Sequence, residues 1–310
     1  MNRTFVNLLI FCFSCLLFSC EKTEKIENFP MSPSKLVLNC QLNPDSVIQL
    51  LLFKSLSVLD NATNKNITNA KVELYRDDIL IASLPAANKQ YMYVFDGIKP
   101  EINHTYKVVA SASGYETVWA EVALPEAVFP DKVTTTVIDT FYWYEYYMND
   151  TIYNATGKVT VTFTDPAKAS NYYALEVYSF YTYYQTNENG DTVQSVTTKV
   201  GLNSYNNTTN SPLIDYTLGY GYYFTDKFFN GSQVTLDIPV RYSGNTRSTT
   251  VYVELISVSE TQYFYDKSKM IFSNNNGNPF TEPIQIYTNI HNGFGIFSAI
   301  NGNVQSIKFN

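Results

Sequence analysis

The sequence predicts an all-β protein: two β-sandwich-like domains with one short helix near the C-terminus. Three observations carry that expectation. From residue 35 onward apolar and polar residues alternate with period two, the repeat of a half-buried strand. Turn-forming residues interrupt the alternation about every 8–12 residues, the spacing of short antiparallel strands. Tyrosine and phenylalanine, both strand formers, number 26 and 20 in a chain of 310 residues.

The first domain is expected over 35–125. Leu36, Leu38, Cys40 and Leu42 fall on one face of its first strand. Lys71 to Tyr75 alternates, Asp77-Asp78 turns, and Ile79 to Ile81 returns. Tyr106 to Ala112 alternates, Ser113 to Glu116 turns, and Thr117 to Leu124 comes back before Pro125 closes the run. That is roughly the ninety residues an immunoglobulin- or fibronectin-like sandwich needs.

The second domain, 126–310, also reads as all-β. Val133 to Val137, Lys158 to Phe163 and Tyr172 to Tyr181 are strand candidates, and Asn187 to Asp191 is a hairpin tip. Val234 to Val240 is expected to pair across Ser243 to Asn245 with Thr249 to Ile256. The helix is placed at about 259–273. Ser259 and Gln262 form a capping box, the hydroxyl taking an orphan N–H and Gln262 reaching back. Tyr263, Phe264, Met270 and Ile271 mark its apolar face, and Lys267 and Lys269 are expected in its last turn, where the helix dipole favours cations.

Residues 1–19 read as a secretion signal. A basic start at Arg3 precedes an apolar core from Phe5 to Phe18. That core is too short for a membrane span, which needs roughly 20 residues. Leu17-Phe18-Ser19-Cys20, followed by Glu21 and Lys22, resembles a bacterial lipoprotein lipobox, with Phe18 where that signal usually has a small residue. The resemblance implies cleavage before Cys20 and acylation of Cys20, detectable as palmitate. Residues 20–34 then form a flexible tether, with a root-mean-square reach of roughly 20 Å. Cys12 and Cys15 leave with the signal and Cys20 carries lipid, so no disulfide can form within the mature chain. Cys40, on an apolar strand face, is expected to be a buried core thiol.

Composition narrows the function. The net charge is −7, and a phosphate binder needs a basic face, so nucleic acid is not an expected partner. His104 lies in a turn with no carboxylate spaced as a partner, and His291 lies in a loop. No nucleophile elbow, zinc spacing, P-loop or dinucleotide loop is present. The tip from Gln185 to Gly190 fails as a calcium loop at its first and twelfth ligands, Gln185 and Val196. The expectation is a non-enzymatic protein without cofactor or metal.

The candidate site is aromatic. Phe141 to Tyr147 holds six aromatics in seven residues, and Tyr142, Trp143, Tyr144, Tyr146 and Tyr147 are the candidate ligand or partner surface. Alternation forces some of these rings outward. Exposed rings stack on sugars or anchor protein partners. The competing reading is tyrosine as a plain strand former. Tyr181, Tyr183 and Tyr184, then Tyr220, Tyr222, Tyr223 and Phe224, are lesser runs of the same kind. Asp45-Ser46-Val47, Asp150-Thr151-Ile152 and Asp191-Thr192-Val193 resemble an O-glycosylation triplet.

The stretches Ser257 to Ser268, Asn278 to Pro283 and Tyr287 to Phe297, with its Gly293-Phe-Gly295, resemble the end of a Bacteroidota lipoprotein family, domain of unknown function 4249. Leu36 to Leu42, Asn69 to Arg76 and Ser113 to Glu121 are similar to its earlier strands, so the likeness spans about 35–300. The resemblance implies an outer-membrane lipoprotein encoded beside a TonB-dependent receptor, with no catalytic residue to carry over. The expected function is an accessory or ligand-binding partner of a TonB-dependent transporter. The alternative is a structural or adhesive envelope protein whose aromatics contact protein or glycan. Lys22 and Glu24 resemble the charged surface-export signal of such proteins, and the face of the membrane stays open.

Overall fold

Alternating burial is what sets each strand. In β1 (Leu36–Leu42) every second side chain is buried, and the same beat runs through β6 (Thr105–Ser111) and β7 (Val118–Ala123). The computed structural model describes residues 33–57, 65–145, 150–167, 170–186, 192–202, 211–244, 249–275, 282 and 284–309. The remaining strands of the first region are β2 (Gln49–Lys54), β3 (Lys71–Arg76), β4 (Ile79–Leu84) and β5 (Met92–Val94). The second region holds β8 (Pro130–Glu145), β9 (Asp150–Thr164), β10 (Tyr172–Thr186), β11 (Thr192–Gly201), β12 (Tyr216–Leu218) and β13 (Gly221–Thr225). It ends with β14 (Gln233–Gly244), β15 (Thr249–Val258), helix α1 (Glu260–Asn275) and β16 (Phe294–Phe309).

The all-β expectation holds. The strands make one nine-stranded sheet, ordered β12-β13-β10-β15-β16-β1-β2-β5 with β11 beside β10. Two smaller sheets complete the fold, β4-β3-β6-β7 and β14-β9-β8. One core collects Leu38, Leu52, Leu74, Val108 and Val118 from the first region, together with Phe297 and Ala299 of β16. The second gathers Val159, Phe163, Leu175, Leu236, Val253 and Phe309. The two sandwiches therefore share a sheet, and residues 34–310 form one compact unit. The boundary drawn at 125 separates the small sheets but not the large one.

β16 joins the cores. Its first half pairs in parallel with β1, from Val37↔Phe294 to Leu42↔Ala299. Its second half pairs antiparallel with β15, from Val258↔Ile300 to Thr249↔Phe309. The Gly-Phe-Gly element has its reason here. Gly295 sits at φ +100°, and a Cβ there would collide with the Leu38 carbonyl oxygen. A Cβ on Gly293 would crowd the Leu36 carbonyl oxygen and Val118.

Three local expectations are corrected. Val234 to Val240 and Thr249 to Ile256 do not pair: β14 bonds to β9, while β15 lies between β10 and β16. Both strands have their apolar faces in one core, so they oppose each other across the sandwich instead of lying side by side. The capping box is half-formed. Ser259 Oγ accepts the Gln262 N–H at 3.2 Å, but Gln262 does not reach back. The Ser259 N–H already donates to the Ala299 carbonyl at 2.8 Å. Gln262 instead donates to Asp266 and accepts from Gln41 and Ser298. Because α1 runs on to Asn275, Lys267 and Lys269 stand mid-helix, over the rings of Tyr263 and Tyr265. Tyr263 is buried and Met270 partly so, while Phe264 and Ile271 are exposed.

Candidate functional site

The leading aromatic run stands outside the core. Pairing of β14 with β9 ends at Gly244↔Tyr153, whereas β8 and β9 continue together to Glu145↔Asp150. Among the described residues, only β8 and β9 pair past Tyr153, forming a ribbon. A bulge at Ile138, which is 72% exposed, lies at its root. Phe141, Tyr142, Trp143 and Tyr144 are 43%, 73%, 43% and 57% exposed, so both faces of this blade carry rings. Phe141 and Trp143 stack at 5.8 Å on one face, and Tyr142 meets Tyr153 at 6.0 Å on the other. Tyr146 and Tyr147 lie outside the described residues, as does Cys20 with the signal and most of the tether.

The other two runs divide. Tyr181 is exposed, and the side chains of Tyr183 and Tyr184 and the tip 187–191 are outside the described set. Tyr222 and Phe224 are fully buried on β13, where Phe224 packs against Phe163, Tyr173 and Phe229. Tyr223 points the opposite way, toward α1. There Tyr263 donates to Asp215 at 2.7 Å, Tyr216 to the Tyr263 carbonyl at 2.8 Å, and Tyr223 to Asp266 at 3.3 Å. Burial lifts the Asp266 carboxyl above its ordinary range, against the hydrogen bond from Gln262. These tyrosines bury their rings and spend their hydroxyls on acceptors, which is packing.

A second charged-aromatic group, on the outer face of β10 and β15, has no precedent in the sequence reading. Glu176 lies directly across from Glu254. Lys199 of β11 ion-pairs with Glu176, stands 3.8 Å from Glu254 and sits 3.8 Å over the Tyr178 ring. Burial raises the Glu254 carboxyl, which Lys199 opposes. Tyr178 and Tyr252 stack at 5.6 Å, with Phe180 edge-on. Alternation along Tyr172 to Tyr181 already put Glu176, Tyr178 and Phe180 on one face; the partners Lys199 and Glu254 come from strands that local pattern does not align.

The remaining candidates resolve simply. Cys40 is buried, and burial pushes its thiol up to about 12, far from a reactive thiolate. His104 does have a carboxylate partner, contrary to the sequence expectation: Asp77, from the β3–β4 turn, contacts its Nδ1. Asp77 and Asp78 both adopt positive φ, as a tight hairpin requires, and that turn brings the carboxylate to the histidine. His291 is exposed yet stacked on Trp119 at 3.8 Å, and its N–H donates to the Trp119 carbonyl. Among the described residues no group of three or more His, Cys, Asp and Glu side chains could hold a metal ion. Likewise, no helix among them is long and apolar enough to cross a membrane.

A family model described as Domain of unknown function (DUF4249) matches residues 23–306. The chain belongs to this family. The DUF4249 match covers the first core and all of the second but the end of β16, and it begins upstream of β1, in the segment read as a tether. Comparison with curated proteins finds no match.

Proposed function

We propose that this DUF4249 protein is a lipoprotein anchored to the outer membrane through Cys20, acting without catalysis as an accessory or ligand-binding partner of a TonB-dependent transporter. The observation that carries the reading is the two-faced aromatic blade. Four consecutive rings, Phe141 to Tyr144, stay exposed on the two faces of one strand. Trp and Tyr dominate the energetics of protein interfaces, and a monomer gains nothing from showing so many at once. The lipobox-like sequence at Cys20 supports the anchor.

The test is capture of the tagged full-length protein from its native envelope in mild detergent. The expected result is a TonB-dependent barrel in the eluate, lost when Trp143 and Tyr144 are both changed to alanine. An eluate free of any barrel overturns the partnership. Cys20→Ser is expected to lose palmitate labelling; a variant that still labels overturns the anchor.

A further inference from the structure

The blade offers more than rings, because its outer strand is also a sheet edge. β8 ends the order β14-β9-β8, and among the described residues no backbone hydrogen bond joins 138–143 to any strand but β9. Ile138 and Tyr142 are 72% and 73% exposed, values that fit a strand bonded along one side. The start of β8 differs, since β16 runs close to it: Gln305 donates to the Pro130 carbonyl and Thr135 to the Lys308 carbonyl. The open edge therefore begins at the bulge and runs outward along the blade.

An edge strand is a template for another strand, and proteins usually blunt it with lysine, proline or a bulge. β8 has its bulge at Ile138 and neither residue beyond it: between Lys132 and Lys158 the chain holds no proline and no basic residue. Past the bulge the register is regular, from Asp139↔Thr156 to Glu145↔Asp150. Rings stand on both faces of this stretch, so a strand laid alongside would meet a ring on whichever face each of its residues points.

Charge selects the occupant. The charged residues between Lys132 and Lys158 are Asp139, Glu145 and Asp150, all acidic. A second copy of this chain does not fit: two antiparallel edges joined about Tyr142 would set Asp139 opposite Glu145, like charge against like. A strand bearing arginine or lysine is complementary to the acids, and its cations would lie on the exposed faces of Tyr142 and Trp143. We propose that the 139–143 edge of β8 takes an extended basic segment of the partner as an added strand, main chain to main chain. This inference rests on the blade being the partner surface and specifies how that surface binds.

Fluorescence polarisation of a labelled peptide, Thr-Arg-Val-Arg-Val-Arg-Thr, titrated with the full-length protein in mild detergent tests this. Saturable binding is expected, and none when glutamate replaces each arginine. N-methylation of the central amides keeps every side chain and charge but removes the donors of a ladder, and should weaken binding about tenfold. Asp139→Lys, at an exposed position, should weaken it about fivefold at an unchanged melting temperature. No saturable binding, equal binding of the glutamate peptide, a methylated peptide held as tightly as its parent, or unchanged affinity in Asp139→Lys overturns the proposal. Capture of a barrel that needs Trp143 and Tyr144, beside a peptide indifferent to methylation, sinks this inference and leaves the partnership standing. Methylation-sensitive binding with no barrel captured does the reverse.

Discussion

Two aromatic runs of nearly the same composition meet opposite fates. Phe141 to Tyr144 is exposed throughout, whereas Tyr222 and Phe224 are sealed in the core. Strand propensity does not separate them, and neither does alternation. The difference is what lies across from each strand. β13 is bonded to β10, and its inner face is covered by Phe163 and Phe229. Among the described residues, the outer end of β8 pairs with β9 alone and its rings stay exposed. The same residues thus serve as core in one place and as surface in another, decided by layer architecture.

That contrast can be broken most forcefully at Phe224. Changing it to alanine should cost about 3–5 kcal/mol, read as a lowered denaturation midpoint at unchanged slope. A cost below about 1 kcal/mol would mean the run is not core. Tyr222→Phe sharpens the picture, since the Tyr222 hydroxyl is buried without a partner among the described residues. Its removal should be neutral or stabilise by up to about 1 kcal/mol, whereas a loss of that size would reveal a hidden partner. The outward side of the same strand is tested by pH through Asp266, which accepts from Tyr223. Its folded carboxyl is raised by burial, so it contributes stability that is full in acid and lost as pH rises through that raised value. Asp266→Asn should therefore lessen the fall in melting temperature between pH about 4 and 7; an unchanged fall refutes this. Smallest of all, Trp143→Ala should shift stability by no more than about 0.5 kcal/mol.

Local order was legible; long-range order was not. The hairpins β3–β4 and β6–β7 follow from alternation broken by Asp77-Asp78 and Gly114, because both strands and the turn are adjacent in sequence. The parallel partnership of β1 with β16 joins residues some 250 positions apart, Val37 with Phe294 being one pair, and no local period encodes it. Its trace was Gly293-Phe-Gly295, visible as a motif but without a reason until the Leu36 and Leu38 carbonyls came beside it. The β14–β15 error has the same root: two alternating strands flanking a turn signal look alike whether they zip together or face each other across a core. In the site, the aromatic run was legible as a cluster, but its exposure on both faces depended on tertiary placement that no local period encodes.

The position of β1 has a mechanical consequence. The chain enters the body at Ser34 and runs at once into a strand hydrogen-bonded on both sides, parallel to β16 and antiparallel to β2. A tug arriving from the N-terminal side is directed along that strand, so it loads both ladders in shear and must rupture many bonds together. An edge strand would peel one bond at a time. Under the proposed anchor at Cys20, that load falls on a strand bonded along both edges.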